Sequence, residues 1–250
     1  LCPAMLREKR RRELSYRFGV EADILKAKTT HRQLQQAAQQ GARSEFAIVA
    51  SMQGLRPSKG SQASQDLDDF LRDHEFDEPL IDFLIVDEAH YMKNPESKTS
   101  TLGHRLRRVA SHVALLSATP IHLGSEDLFQ LLHLLDEDTF QRQRTFDQIL
   151  EANAPLVQAR DAVLQNRVHG SDLEQMLEEA RQHPLLSKNR QLAGLLKEMP
   201  SDEYIEDHER RSRIAHRLER VNLLSHTVTR TRRRDVTEFR VVRKPRHEKI

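Results

Sequence analysis

Three short apolar runs punctuate the first half of the chain: Phe46-Ala47-Ile48-Val49-Ala50-Ser51, Phe83-Leu84-Ile85-Val86 and Val113-Ala114-Leu115-Leu116. Each is too short for a buried helix and lacks the alternation of a half-exposed strand. Together they predict parallel strands covered on both faces. The segments between them have helical periodicity. Leu67, Phe70 and Leu71 share one face of a helix over 64–74, and Leu102, Leu106 and Val109 share one over 97–110. A β-α-β-α-β series follows, which implies an α/β fold with a parallel sheet and right-handed crossovers. Upstream lie an Arg-rich helix over 6–18, a short strand and turn over 21–30, and a helix over 30–40 closed by Gly41. Residues 57–63 carry Pro, Gly, Ser and Gln and form a surface loop. Leu1-Cys2-Pro3-Ala4 reads as the tail of a strand interrupted by a truncation or a sequence gap.

Alternation of strand and helix stops after residue 135. Ser125 caps a helix with Glu126 and Asp127 in its first turn, favourable at the positive end of the dipole. Leu128, Leu131, Leu132 and Leu135 form its apolar stripe. From about Asp136 to Ser225 the pattern is helical throughout. Leu156, Ala159, Val163 and Leu164 make one core stripe, and Ile214, Leu218 and Val221 make another. Leu173, Met176, Leu177 and Ala180 follow a capping box expected from Ser171 and Glu174. No internal repeat or low-complexity tract interrupts the chain.

Composition narrows the function classes. With 250 residues, 37% hydrophobic and 31% charged, the chain is polar yet able to bury a core. A single cysteine excludes an internal disulfide, and 13 histidines without cysteine partners at ligand spacing predict no zinc site. No apolar run is long enough for a membrane span, and no signal-peptide core begins the chain. The expected setting is cytoplasmic, or nucleoid-associated in a prokaryote. Net charge is only +2, but basic residues cluster at Lys9-Arg10-Arg11-Arg12, around Arg105, Arg107 and Arg108, and from Arg230 to Arg234. Such clusters are either solvated faces or phosphate contacts.

The chemistry concentrates where the second run ends. Asp87 and Glu88 follow the apolar strand at once, and the carboxyl edge of a parallel sheet is where open α/β folds keep ligands. Two acids there can hold a divalent cation through water and polarise an attacking water, as nucleoside triphosphate hydrolysis requires.

The longer string Asp87-Glu88-Ala89-His90-Tyr91-Met92-Lys93-Asn94 resembles the second helicase motif of superfamily 2, of the DEAH-box type. Its Lys-Asn continuation resembles the Swi/Snf DNA-dependent ATPases. Val113 to Ile121, with Ser117-Ala118-Thr119 after the strand, resembles the third motif, where many Swi/Snf members have Thr-Gly-Thr. Pro3, Leu6, Glu13 and Leu14 resemble a family stretch that lies along a DNA strand, with Arg10 where the family usually has Trp. The resemblance implies a RecA-like ATP-binding lobe over 1–135 lacking its N-terminal phosphate loop, a helical protrusion over 136–225, and a basic linker over 226–250 toward a second lobe.

The resemblance also implies roles for residues. Asp87 holds Mg²⁺ through its water shell, Glu88 orients and deprotonates the attacking water, and His90 senses the γ-phosphate of ATP. Ser117 and Thr119 couple nucleotide state to nucleic-acid grip. Arg232 and Arg233 contact the nucleic acid, and so does Ser51, for which an ordinary core strand capped by Ser is the competing reading. Its cofactors are ATP and Mg²⁺; its partners are double-stranded DNA and a possible protein on the helical protrusion. Prokaryotic members act in RNA-polymerase recycling or in phage defence.

No glycine in the chain is followed directly by lysine, so a phosphate cradle of the form G-x-x-x-x-G-K-[ST] is absent. These residues alone are therefore expected to hydrolyse ATP negligibly. Two other readings compete with a DNA translocase. One is a catalytically dead lobe serving as a DNA- or protein-binding module; the other is an RNA helicase of superfamily 2.

Overall fold

A computed structural model describes residues 1–40, 45–73, 78–117 and 125–228. The chain divides into two compact units, Leu1–Phe146 and the part from Asp147 onward. The first runs α1 (Arg7–Phe18), β1 (Asp23–Ile24), α2 (Ala27–Gln40), β2 (Ile48–Val49), α3 (Met52–Leu55), α4 (Gln62–Asp73) and β3 (Ile81–Asp87). A 3-10 turn over Ala89–Met92 follows, then α5 (Lys98–Arg108), β4 (Ala110–Leu116) and α6 (Ser125–Leu135).

All strand pairing among the described residues of this unit is parallel except one short bridge in the 57–63 loop, between Ser58 and Ser61. β1 pairs with β2, and β3 pairs with β4 in the register Leu84↔Val113, Asp87↔Leu116. The two ladders are joined by the first two residues of the chain. Cys2 N–H donates to Ala50 and its carbonyl accepts from Met52, both at 3.0 Å, while Leu1 bonds Ile85 and Asp87 at 2.7 and 2.8 Å. Leu1-Cys2 thus fills a strand's place between β2 and β3, as expected of the tail of a strand.

The core of this unit gathers Leu34, Leu67, Leu71, Leu84, Val86 and Leu106. It corrects one expectation. Among the described residues β3 is covered on one face only: Leu84 and Val86 are buried, but Phe83 is 56% exposed, Ile85 38% and, on β4, Leu116 51%. Side chains alternate across a strand, so a core reaching β3 through Leu84 and Val86 leaves the opposite row open.

Gly103 on α5 is a point of close approach. A Cβ there would stand 2.8 Å from Met92 Sδ and 3.2 Å from a Leu134 methyl. Gly103→Val is expected to lower stability by about 1–3 kcal/mol through overpacking. A fall in the urea midpoint at unchanged slope is the readout; an unmoved midpoint would mean that Met92 swings clear.

The second unit is helical among its described residues. It holds most of α7 (Gln143–Leu164), then α8 (Gly170–Gln182), α9 (Arg190–Lys197), α10 (Asp202–Glu206) and α11 (His208–Val221). Leu156, Val163, Leu173, Leu177, Leu192 and Leu218 form its own buried cluster. The expected cap of α8 is displaced. The helix begins at Gly170, where His169 N–H donates to Asp172 at 3.4 Å and Gly170 N–H to Asp202 at 2.6 Å. Asp202, 32 residues away, supplies the acceptor and so moves the start ahead of Ser171.

Candidate functional site

β3 ends on Asp87, and the backbone turns there. Glu88 adopts φ 55°, ψ 46°, the left-handed region that a non-glycine residue enters at a cost of about 1–3 kcal/mol. The turn is held from both sides. Asp87 Oδ1 accepts from Glu88 N–H at 3.1 Å, and the Glu88 carbonyl accepts from Tyr91 N–H at 3.1 Å. Ala89 and Met92 are buried and anchor the 3-10 turn in the core. Its polar side chains, Asp87, Glu88 and His90, are therefore held at the strand's carboxyl end.

His90 reaches both neighbours through one atom. Its Nδ1 lies 3.2 Å from Glu88 Oε2 and 3.4 Å from Ser117 Oγ. A ring nitrogen carries one proton or none, so the tautomer selects the partner. With Nδ1 protonated, His90 donates to Glu88; with the proton on Nε2, Nδ1 accepts from the Ser117 hydroxyl. Ser117 follows β4 directly, so parallel pairing of β3 with β4 is what brings the two motifs into contact.

The Lys93-Asn94 continuation has structural work of its own. Lys93 Nζ is 2.7 Å from Asp127 Oδ2 in the first turn of α6, and Asn94 Oδ1 accepts from Glu96 N–H at 3.0 Å. Local sequence contains no sign of the Lys93–Asp127 pair.

In sequence Arg10 is marked by its departure from Trp and as one member of the Lys9–Arg12 basic cluster, yet its side chain pairs with Asp87. Its Nε and Nη2 lie 2.7 and 2.6 Å from Asp87 Oδ2, and its Nη1 lies 2.6 Å from Glu13 Oε2. Burial alone disfavours its charge, but the hydrogen bonds to Glu13 and Asp87 outweigh that, and its pKa is raised. The same Arg10 bond is the main reason the Glu13 carboxyl lies below its usual range.

Ser51 is placed differently from a surface contact. It is 5% exposed, and its Oγ accepts from Gly54 N–H at 2.9 Å as the cap of α3. A phosphate reaching that hydroxyl would have to open the cap. The Arg105–Arg108 cluster is partly committed as well. Arg105 pairs with Asp68 at 3.4 Å, and Arg107 donates to the Leu135 carbonyl at 2.8 Å, closing the end of α6. Thr119, Arg232 and Arg233 lie outside the described residues, as do Gly41 and the linker beyond residue 228.

Two acids, a histidine and a serine now stand at the ends of paired parallel strands in the order the helicase motifs require. Comparison with known proteins agrees: residues 15–227 match the family model described as SNF2-related domain. The chain belongs to the SNF2 family. These are the Swi/Snf-type, helicase-like ATPases that its motifs resemble. Among its relatives is RNA polymerase-associated protein RapA of Haemophilus influenzae (strain Rd), 42% identical over 89 residues, which cover 34% of this chain and 10% of that protein. RapA of Histophilus somni is 34% identical over 112 residues, 42% of this chain and 12% of that protein. RapA of Pasteurella multocida is 36% identical over 112 residues, again 42% of this chain and 12% of that protein. The matched stretch is about a tenth of the length of these SNF2 relatives. No described helix is long and apolar enough to cross a membrane.

Proposed function

We propose that this chain carries the cation- and water-handling part of an ATP-driven motor that moves on, or remodels, double-stranded DNA complexes. The observation that carries the reading is the meeting of Asp87, Glu88, His90 and Ser117 at the carboxyl ends of β3 and β4. In this reading residues 1–135 are a RecA-like lobe, 136–225 its helical protrusion and 226–250 a basic link to a second lobe.

The donor set suits Mg²⁺ held with a nucleotide. Among the described residues no group of three or more His, Cys, Asp or Glu could cage a metal. Mg²⁺ needs no such cage, since it keeps several waters and takes one or two carboxylates plus substrate phosphates. Asp87 supplies such a carboxylate through the cation's water shell. Mg-ATP, when bound, brings a γ-phosphoryl group whose charge the cation offsets. Glu88 accepts a proton from the attacking water at its carboxylate. His90 donates to that carboxylate when Nδ1 is protonated and accepts from the Ser117 hydroxyl when the proton sits on Nε2. It thereby reports the phosphate state to β4, and Ser117 and Thr119 pass that state to the nucleic-acid grip.

Contact with nucleic acid is assigned to Arg232 and Arg233 on the family resemblance, and to Ser51 only if α3 uncaps. The relatives' name, RNA polymerase-associated protein, supports a protein partner, which we place on the helical unit.

Phosphate release by the protein as its own cells make it, with duplex DNA, single-stranded DNA or RNA added, tests the proposal. Stimulation by duplex DNA is expected. Stimulation by RNA alone would favour an RNA helicase, and no turnover with any of the three would favour a binding module.

A further inference from the structure

Both carboxylate oxygens of Asp87 are already engaged by this chain. Oδ1 accepts from Glu88 N–H, and Oδ2 is held by two nitrogens of the Arg10 guanidinium. The Asp87 side chain is 13% exposed, while that of Arg10 is 36% exposed, so water reaches the pair from the Arg10 side. Arg10 stands on α1, 77 residues away in sequence, and its third contact is Glu13 on the same helix.

We propose that Arg10 is a latch on Asp87: its guanidinium competes with a divalent cation for the carboxylate, so the Arg10–Asp87 pair and the Mg-nucleotide complex exclude one another. The inference rests on the cation-holding role proposed above for Asp87. The physical grounds are charge and geometry. Two guanidinium nitrogens occupy Oδ2 and the Glu88 N–H takes one side of Oδ1, so a hydrated dication finds few acceptor sites left, and repulsion between the like charges favours displacing the guanidinium. Glu13 gives Arg10 a second partner one helical turn away. Release from Asp87 therefore leaves the guanidinium paired, and α1 need not move. Arg10 stays cationic throughout, so its release needs a competing cation at the carboxylate and no loss of its own proton.

Linkage makes the effect measurable. A site whose competent, unlatched state is a fraction of the population binds its ligand more weakly by that fraction. Reciprocally, a bound cation frees Arg10.

The test is Mn²⁺ binding, read from the electron paramagnetic resonance signal of free Mn²⁺. The protein as its own cells make it is compared with Arg10→Gln, Arg10→Met and Asp87→Asn, each with a non-hydrolysable ATP analogue. Removing Arg10 is expected to tighten Mn²⁺ binding on the order of tenfold, as for a site latched about nine-tenths of the time. Arg10→Met keeps the aliphatic stem and guards against a folding defect in Arg10→Gln; the same tightening is expected from it. Asp87→Asn is expected to weaken Mn²⁺ binding. If Asp87→Asn weakens it while neither Arg10 variant tightens it, the latch is overturned and the role of Asp87 stands. If Asp87→Asn changes nothing, the role of Asp87 fails and takes the latch with it.

Discussion

Glu88→Gln is expected to lower ATP turnover of the protein as its cells make it by about 10²–10⁴-fold, the usual contribution of a positioned base. Nucleotide binding should persist. The substitution changes one oxygen for an amide group and leaves the volume nearly constant, so the backbone at φ 55° is not asked to accept a new shape. The amide side chain still offers an oxygen to His90 Nδ1, which lies 3.2 Å from the native carboxylate. What it cannot do is take a proton from water. Rapid-quench measurement of a single turnover, paired with binding of a fluorescent nucleotide, separates the two functions. Turnover near that of the unaltered protein would remove Glu88 from the role of base.

Leu177→Ala is expected to destabilise the helical unit by about 2–5 kcal/mol, the cost of a large-to-small change in a core. Leu177 is fully buried within the cluster formed by Leu156, Leu173, Leu192 and Leu218. It also borders a partly open cleft of about 510 Å³ lined by Leu195, Met199 and Tyr204, so few atoms stand on that side to fill the space left. No residue of this cluster belongs to the core around Leu84 and Val86. Hydrogen exchange should therefore speed up across 170–221 while β3 and α5 keep their protection. Loss of protection in both would mean that the two cores unfold as one.

Much of the first unit was legible because its elements are dictated locally. An apolar run with no alternation becomes a strand, and Leu102 and Leu106 fall on one buried face of α5 as their spacing predicts. The Asp87-Glu88-Ala89-His90 string was legible for a chemical reason, since acids directly after a buried strand call for a purpose. The left-handed turn at Glu88 carried no such signal. A non-glycine residue there is strained, and it is held by its hydrogen bonds with Asp87 and Tyr91 together with the buried anchors Ala89 and Met92.

Other features depend on partners far along the chain. Helical spacing of Leu156, Ala159 and Val163 was visible, yet α7 runs through Pro155, which lacks the N–H a helix interior uses. The α8 start is decided by Asp202, and the fastening of Lys93 by Asp127.

By itself, then, the sequence determined the family, the order of strands and helices, and which acids end β3, because these follow from short-range periodicity and contiguous motifs. Only the tertiary structure decided that one face of β3 stays open among the described residues and that Arg10 grips Asp87. Each of these depends on which surfaces meet across tens of residues. A linear pattern carries residue types and spacings, and it does not carry those meetings.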